Sequence, residues 1–178
     1  IKHTKDNFEK IFDQECSFSI FGKEGRNNLQ KYLDMPAVEE LKNYKIIGVF
    51  DFDDGFDNFK GLNNGRWDDR LGSKTNCLSR KRKQHNCFYA LLIPVPESRN
   101  GYADADFIHN YLSLEHLFKD DDLKTIECFD GFSSPSGGMD IVKIKGKGEL
   151  WKKIFILDKT AFVDFEPLFK KIETIFNE

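Results

Sequence analysis

The chain has 178 residues, enough for one well-cored domain, and a composition of 39% hydrophobic residues with 18 phenylalanines belongs to a folding chain, not a disordered tail. Its 27 basic and 30 acidic side chains leave a net charge of −3, so no global field draws it to nucleic acid or an anionic membrane, and any such contact must be a local patch. No apolar run approaches the roughly 20 residues of a membrane span and the polar start Ile1-Lys2-His3-Thr4-Lys5-Asp6 is unlike a signal peptide, so a cytoplasmic protein with no membrane partner is expected.

In chain order, Phe8, Ile11 and Phe12 fall at helical spacing. Residues 17–21 (Ser-Phe-Ser-Ile-Phe) alternate like a strand before the glycine turn Gly22-Lys23-Glu24-Gly25. Helical patterns follow over 28–33 and, after Pro36, through Val38 and Leu41 to Lys42. Ile46-Ile47-Gly48-Val49-Phe50 is a continuous apolar run, the mark of a strand covered on both faces in a parallel sheet. Residues 54–86 predict a short helix over 56–62 and then a long polar excursion without periodicity. Residues 87–95 (Cys-Phe-Tyr-Ala-Leu-Leu-Ile-Pro-Val) read as a second buried strand, residues 111–118 as a helix, and 126–129 and 141–144 as short strands. The clearest helix carries Phe165, Leu168, Phe169, Ile172, Ile175 and Phe176, with Asp164 as its candidate N-cap and Pro167 in its first turn. Helices alternating with buried strands point to an α/β sandwich around a mainly parallel sheet.

Asp51-Phe52-Asp53 follows the first buried strand directly. Ligands of parallel α/β sheets bind beyond the carboxyl ends of strands, and residues two apart in extended chain share a side. Both carboxylates therefore suit one hard cation, Mg²⁺ or Mn²⁺. The plainer reading is that acidic residues after a strand open a turn or cap the next helix.

Residues 45–55 (Lys-Ile-Ile-Gly-Val-Phe-Asp-Phe-Asp-Asp-Gly), with the glycine turn at 21–25, resemble the Toprim domain of OLD-type nucleases and related bacterial antiphage effectors. Residues 89–98 (Tyr-Ala-Leu-Leu-Ile-Pro-Val-Pro-Glu-Ser), 113–118 (Ser-Leu-Glu-His-Leu-Phe) and 164–169 (Asp-Phe-Glu-Pro-Leu-Phe) extend the resemblance over nearly the whole chain. It implies a Toprim-like three-layer sandwich with a mainly parallel central sheet, and a Mg²⁺-dependent endonuclease hydrolysing DNA or RNA phosphodiesters in antiviral defence. Asp51 and Asp53 match the family's paired aspartates, and Glu115 matches an acidic position serving a second metal, with an ordinary helix carboxylate as the alternative. Lys147, in Gly146-Lys147-Gly148, lies near the family's C-terminal lysine, with Lys145 and Lys152 behind it; a solvated turn lysine is the other reading. The family's first strand and its glutamate would lie upstream of Ile1, so residues 1–178 are expected to be one Toprim-like domain lacking its first strand, a fragment of a longer chain. Any ATPase would be an upstream domain or a subunit in trans.

Arg80, Lys81, Arg82 and Lys83 form the strongest basic run and suit a phosphate backbone, or else a solvated loop. Trp67 and Tyr102 suit base stacking or packing. Gly72-Ser73-Lys74-Thr75 lacks the spacing and lead-in strand of a phosphate loop. Cys16, Cys77, Cys87 and Cys128 have no zinc-ligand spacing and read as reduced thiols. Among the histidines no paired metal spacing occurs, and His116 is notable only for adjoining Glu115. Two other functions fit less of the pattern. A degenerate Toprim-like domain would bind a partner or nucleic acid without cutting. A haloacid-dehalogenase-like phosphatase also enters on strand plus Asp-x-Asp, but no later Gly-Asp-x-x-x-Asp completes that site.

Overall fold

The computed structural model describes residues 26–35, 44–69, 71–84, 87–103, 111–134 and 139–178. The helices expected near residues 8–12 and 38–42, the strand at 17–21 and its glycine turn lie outside the described residues. Two compact units emerge: Phe118–Val163 forms one, and the described part of Glu24–Leu117 together with Asp164–Glu178 forms the other.

The larger unit is built on a sheet ordered β1-β3-β2. Strand β1 (Ile46–Phe50) runs parallel to β3 (Phe88–Leu92), with Ile46 opposite Phe88 and Phe50 opposite Leu92. Strand β2 (Ser79–Lys81) pairs antiparallel with the other edge of β3. Central β3 is buried at every position, as its apolar run demands, whereas Val49 on β1 is exposed. Helix α1 (Arg26–Asp34) lies against β1 through Leu33, which is fully buried. Gly48 permits this approach: a Cβ there would meet Leu33 Cδ1 at 2.6 Å, so any side chain would force Leu33 to move.

After β1 the chain turns into helix α2 (Gly55–Lys60), then folds back beside β2, where Leu71 and Ser79 exchange backbone hydrogen bonds of 2.9 Å. Residues read from sequence as an excursion thus form part of the sheet. Helix α5 (Glu166–Asn177) closes the unit on the amphipathic pattern that predicted it, with Pro167 in its first turn. Phe165, not Asp164, occupies its N-cap position. Leu168 and Ile175 pack with Cys77, Tyr89 and Leu91. Burial pushes the Cys77 thiol up to about 12, so this sulfur is packing and not a nucleophile.

The smaller unit contains helix α3 (Asp120–Thr125), the antiparallel pair β4 (Phe129–Ser133) and β5 (Ile141–Ile144), and helix α4 (Lys147–Lys153). Three aspartates in the first turn of α3 complement its dipole. Its core gathers Leu123, Ile126, Val142, Leu150 and Phe162, with Phe118 edge-on to Phe162 at 5.3 Å.

The expected three-layer sandwich is not formed. Among the described residues the sheets are a three-stranded mixed sheet and a two-stranded antiparallel pair. Only β1 and β3 realise the parallel pairing their apolar runs suggest. Polar Ser79-Arg80-Lys81 takes the remaining edge of β3 in the opposite direction, and β4 and β5 pair with each other in the other unit.

What holds β2 in place is a pair of arginines. Residues two apart in extended chain share a face, and Arg80 on β2 and Arg82 just past its end, bridged to Trp67, both turn inward, 4% and 5% exposed. Arg80 donates to the carbonyls of Phe59 (3.2 Å), Leu62 (3.0 Å) and Asp68 (3.0 Å) and to Asn64 Oδ1 (2.7 Å). Arg82 donates to the carbonyls of Leu33 (3.3 Å) and Met35 (2.7 Å). Each guanidinium therefore satisfies carbonyls at a helix C-terminus, Arg80 at α2 and Arg82 at α1, where unpaired acceptors and the dipole both favour a cation. Replacing Arg80 by Lys keeps the charge but strands several buried carbonyls; a loss of about 3 kcal/mol, read from the urea midpoint, is expected.

On the opposite face Lys81 meets Glu178 Oε2 at 2.8 Å, and the buried Tyr89 hydroxyl donates to the same oxygen at 3.1 Å. Lys81 holds the Glu178 carboxyl below its ordinary value of 4.5, and the same hydrogen bond raises the Lys81 amine above 10.5. The carboxylate's contribution is present above pH 4.5 and lost as pH falls through the lowered value; the amine's is present below pH 10.5 and lost as pH rises through the raised one. With the Glu178 side chain 44% exposed, the latch contributes only about 0.5 kcal/mol. Glu178→Gln is expected to lower stability by that amount at neutral pH and to be silent at pH 2, as followed by thermal melts.

Candidate functional site

Asp51 and Asp53 lie at the carboxyl end of β1, where the chain leaves the sheet and has not yet entered α2. Phe52 between them anchors the segment. It is fully buried, stacks on Phe56 at 5.2 Å, and its carbonyl accepts from Leu112 N–H at 3.1 Å. With Phe52 turned into the core, its two neighbours are left half-buried at the surface.

Gly55 shows how close the aspartates come. A Cβ on Gly55 would lie 3.5 Å from Asp53 Oδ1 and 3.9 Å from Asp51 Cβ, so both acidic residues border the notch at the start of α2. Asp53 Oδ1 accepts from Gly55 N–H at 2.9 Å, and the Asp53 carbonyl accepts from Phe56 N–H at 3.0 Å. The turn-opening role is thus real. It engages one oxygen of Asp53.

Asp51 Oδ1 accepts from Leu114 N–H at 3.1 Å. Leu114 begins a 3-10 turn, Leu114–Leu117, that replaces the longer helix expected over 111–118. Glu115, half-buried, is the next residue of that turn, so the chain that binds Asp51 also carries the third candidate carboxylate. The turn is closed by a contact that sequence reasoning passed over. His116 Nδ1 accepts from Ser113 N–H at 3.0 Å and lies 3.0 Å from Ser113 Oγ, both residues being buried. The Ser-x-x-His spacing is that of a capping box, with imidazole in place of the usual carboxylate or amide, and could have been recognised on that ground.

The other candidates lie elsewhere. Arg80 and Arg82 are inside, capping helices. Lys81 is held by Glu178, and Lys83 Nζ donates to the Asn64 carbonyl at 3.0 Å. Trp67 and Tyr102 are buried, Trp67 donating to Asp34 Oδ1 at 2.8 Å, so both serve packing. Lys147 opens α4 in the other unit, exposed, behind Gly146 at φ 62°; Lys152 pairs with Glu149 at 2.9 Å. Cys77, Cys87 and Cys128 are buried free thiols.

Against protein-family models, curated proteins and solved structures, the chain matches nothing.

For a divalent cation the donor chemistry at the notch is right: Mg²⁺ takes hard oxygen ligands, commonly one or two carboxylates with water completing the octahedron. Among the described residues no group of three His, Cys, Asp or Glu side chains is arranged to hold a metal, so Asp51 and Asp53 would act as a pair and not as a closed cage. No helix among the described residues is long and apolar enough to cross a membrane. Because Asp53 Oδ1 caps the turn, Asp53→Ala is expected to cost about 1 kcal/mol in chemical denaturation, while Asp53→Asn, which keeps an acceptor, costs a few tenths.

Proposed function

We propose that the Asp51–Asp53 notch binds Mg²⁺ or Mn²⁺ and supports hydrolysis of nucleic-acid phosphodiesters. The observation that carries this reading is the pair of half-buried carboxylates flanking Gly55 at the carboxyl end of a parallel strand. A cation there would polarise a phosphoryl oxygen and lower the pKa of bound water. The chain's own part is positional. Asp51 is oriented by Leu114 N–H and Asp53 by Gly55 N–H, so each carboxylate has one oxygen fixed by a backbone donor. Phe52 and Phe56 form a stacked base that keeps the segment from swinging. The resemblance to OLD-type nucleases and antiphage effectors supports nucleic acid as the substrate class, with DNA and RNA equally compatible.

A second reading, binding of nucleic acid or a partner without cleavage, is favoured by one observation. The arginines that would best have served a phosphate backbone are consumed inside the fold. Cleavage assays separate the two. With plasmid and RNA substrates in Mg²⁺ or Mn²⁺, Asp51→Ala and Asp53→Ala in the full-length protein are each expected to lower cleavage about 100-fold or more, in keeping with the several kcal/mol a metal supplies. Undiminished cleavage by the double variant places the chemistry elsewhere, and retained Mn²⁺ binding without any cleavage by the unsubstituted protein supports the non-cutting reading.

A further inference from the structure

The turn that carries Leu114 is backed by a buried polar cluster of Arg99, Tyr102 and His116. Arg99 is buried and its Nη1 donates to the Tyr102 hydroxyl at 3.1 Å, with the guanidinium 5.1 Å from the same ring. Tyr102 meets the His116 ring edge-on at 5.4 Å, and its carbonyl accepts from Tyr111 N–H at 2.9 Å. The imidazole is therefore braced on one side by Tyr102 and tied on the other to Ser113. Since Nδ1 accepts a backbone N–H, the ring proton resides on Nε2 and the side chain has one defined orientation.

The tie fixes more than a turn. Ser113 immediately precedes Leu114, whose N–H is aimed at Asp51, and Glu115 follows. Closing Ser113 onto His116 sets the direction of the Leu114 N–H bond and the side on which Glu115 emerges. Such a supporting contact orients a metal-binding carboxylate without touching the metal, and its loss typically weakens metal binding by about 10–100-fold.

We propose that His116 is a positioning residue for the acidic notch, acting through Ser113 and Leu114 to hold the Asp51 carboxylate in the geometry that accepts a divalent cation. The inference rests on the cation reading of Asp51 and Asp53 given above. It depends on an acceptor at the Nδ1 position and not on charge. Glutamine at the same position reaches back to the N-cap amide in ordinary capping boxes and so replaces that acceptor, whereas leucine fills the space and provides none.

The test is Mn²⁺ affinity of the full chain, measured by loss of the free-ion electron paramagnetic resonance signal, with urea denaturation of each variant alongside. His116→Leu is expected to weaken Mn²⁺ binding about tenfold at temperatures where the variant remains folded, and His116→Gln to stay within about twofold of the unsubstituted protein. A folded His116→Leu that binds like the unsubstituted protein overturns the proposal, because the contact would then be structural alone. If His116→Leu does not fold, His116→Ala takes its place: a tenfold loss in His116→Ala with His116→Gln unchanged supports the proposal, and equal affinity of the two overturns it. Asp51→Asn is the separate control. Mn²⁺ affinity unchanged by Asp51→Asn removes the cation site itself, a result distinct from silence at His116 alone.

Discussion

The carbonyls at the end of a helix have no partner within it, and in a small domain whose helices end inside the structure that deficit must be met by side chains. Arg80 and Arg82 meet it for two helices at once. Arg80 on β2 and Arg82 just past its end, two residues apart in extended chain, turn both guanidinium groups inward, so this short segment pins the ends of α1 and α2. Burial pulls Arg82 below the usual arginine value, with Arg66 acting in the same direction, yet a guanidinium remains charged under any physiological condition. At α2 the arginine adds to a C-cap at Gly61, which keeps right-handed backbone and donates its N–H to the Asp57 carbonyl at 2.8 Å.

The acidic corner follows from the same economy. Phe52 is drawn into the core and stacks on Phe56, which leaves the residues on either side facing out. Capping and ligand binding are often set against each other as readings of an acidic residue after a strand. At Asp53 they are compatible, because the turn engages one carboxylate oxygen. At Asp51 the backbone donor comes from a segment far along the chain, Leu114, so the geometry of the notch depends on a tertiary contact.

Where apolar residues run continuously or recur at helical spacing, the sequence was informative. β1, β3 and α5 stand where the apolar runs and the helical periodicity put them, and β5 coincides with the expected residues 141–144. β2 was invisible because Ser79-Arg80-Lys81 has neither alternation of apolar residues nor β-branched side chains; its inward face is charged, and that charge makes sense only once two helix ends are known to lie beneath it. The three-layer sandwich failed for a related reason. An apolar run announces burial but not which strand will lie beside it, and a mainly parallel sheet was inferred from buried strands alternating with helices, a pattern to which residues 79–81 contribute nothing. The aspartates were legible from their place after β1. The Ser113–His116 tie was legible as a spacing, but its importance was not, because the acceptor it orients lies more than sixty residues earlier (|i−j| = 63).

The larger unit is discontinuous: Asp164–Glu178 returns to it after Phe118–Val163, the described part of the smaller unit, has intervened. Helix α5 covers Tyr89 and Leu91 of the central strand, and Glu178 reaches Lys81 across 97 residues of chain. On the ribosome, therefore, strands β1 to β3 and the acidic corner emerge early but must wait with one side of their core open until the helix that seals it has been translated. During that interval the smaller unit has all of its described strands. Until α5 has been made, Tyr89 and Leu91 lack the helix that packs on them.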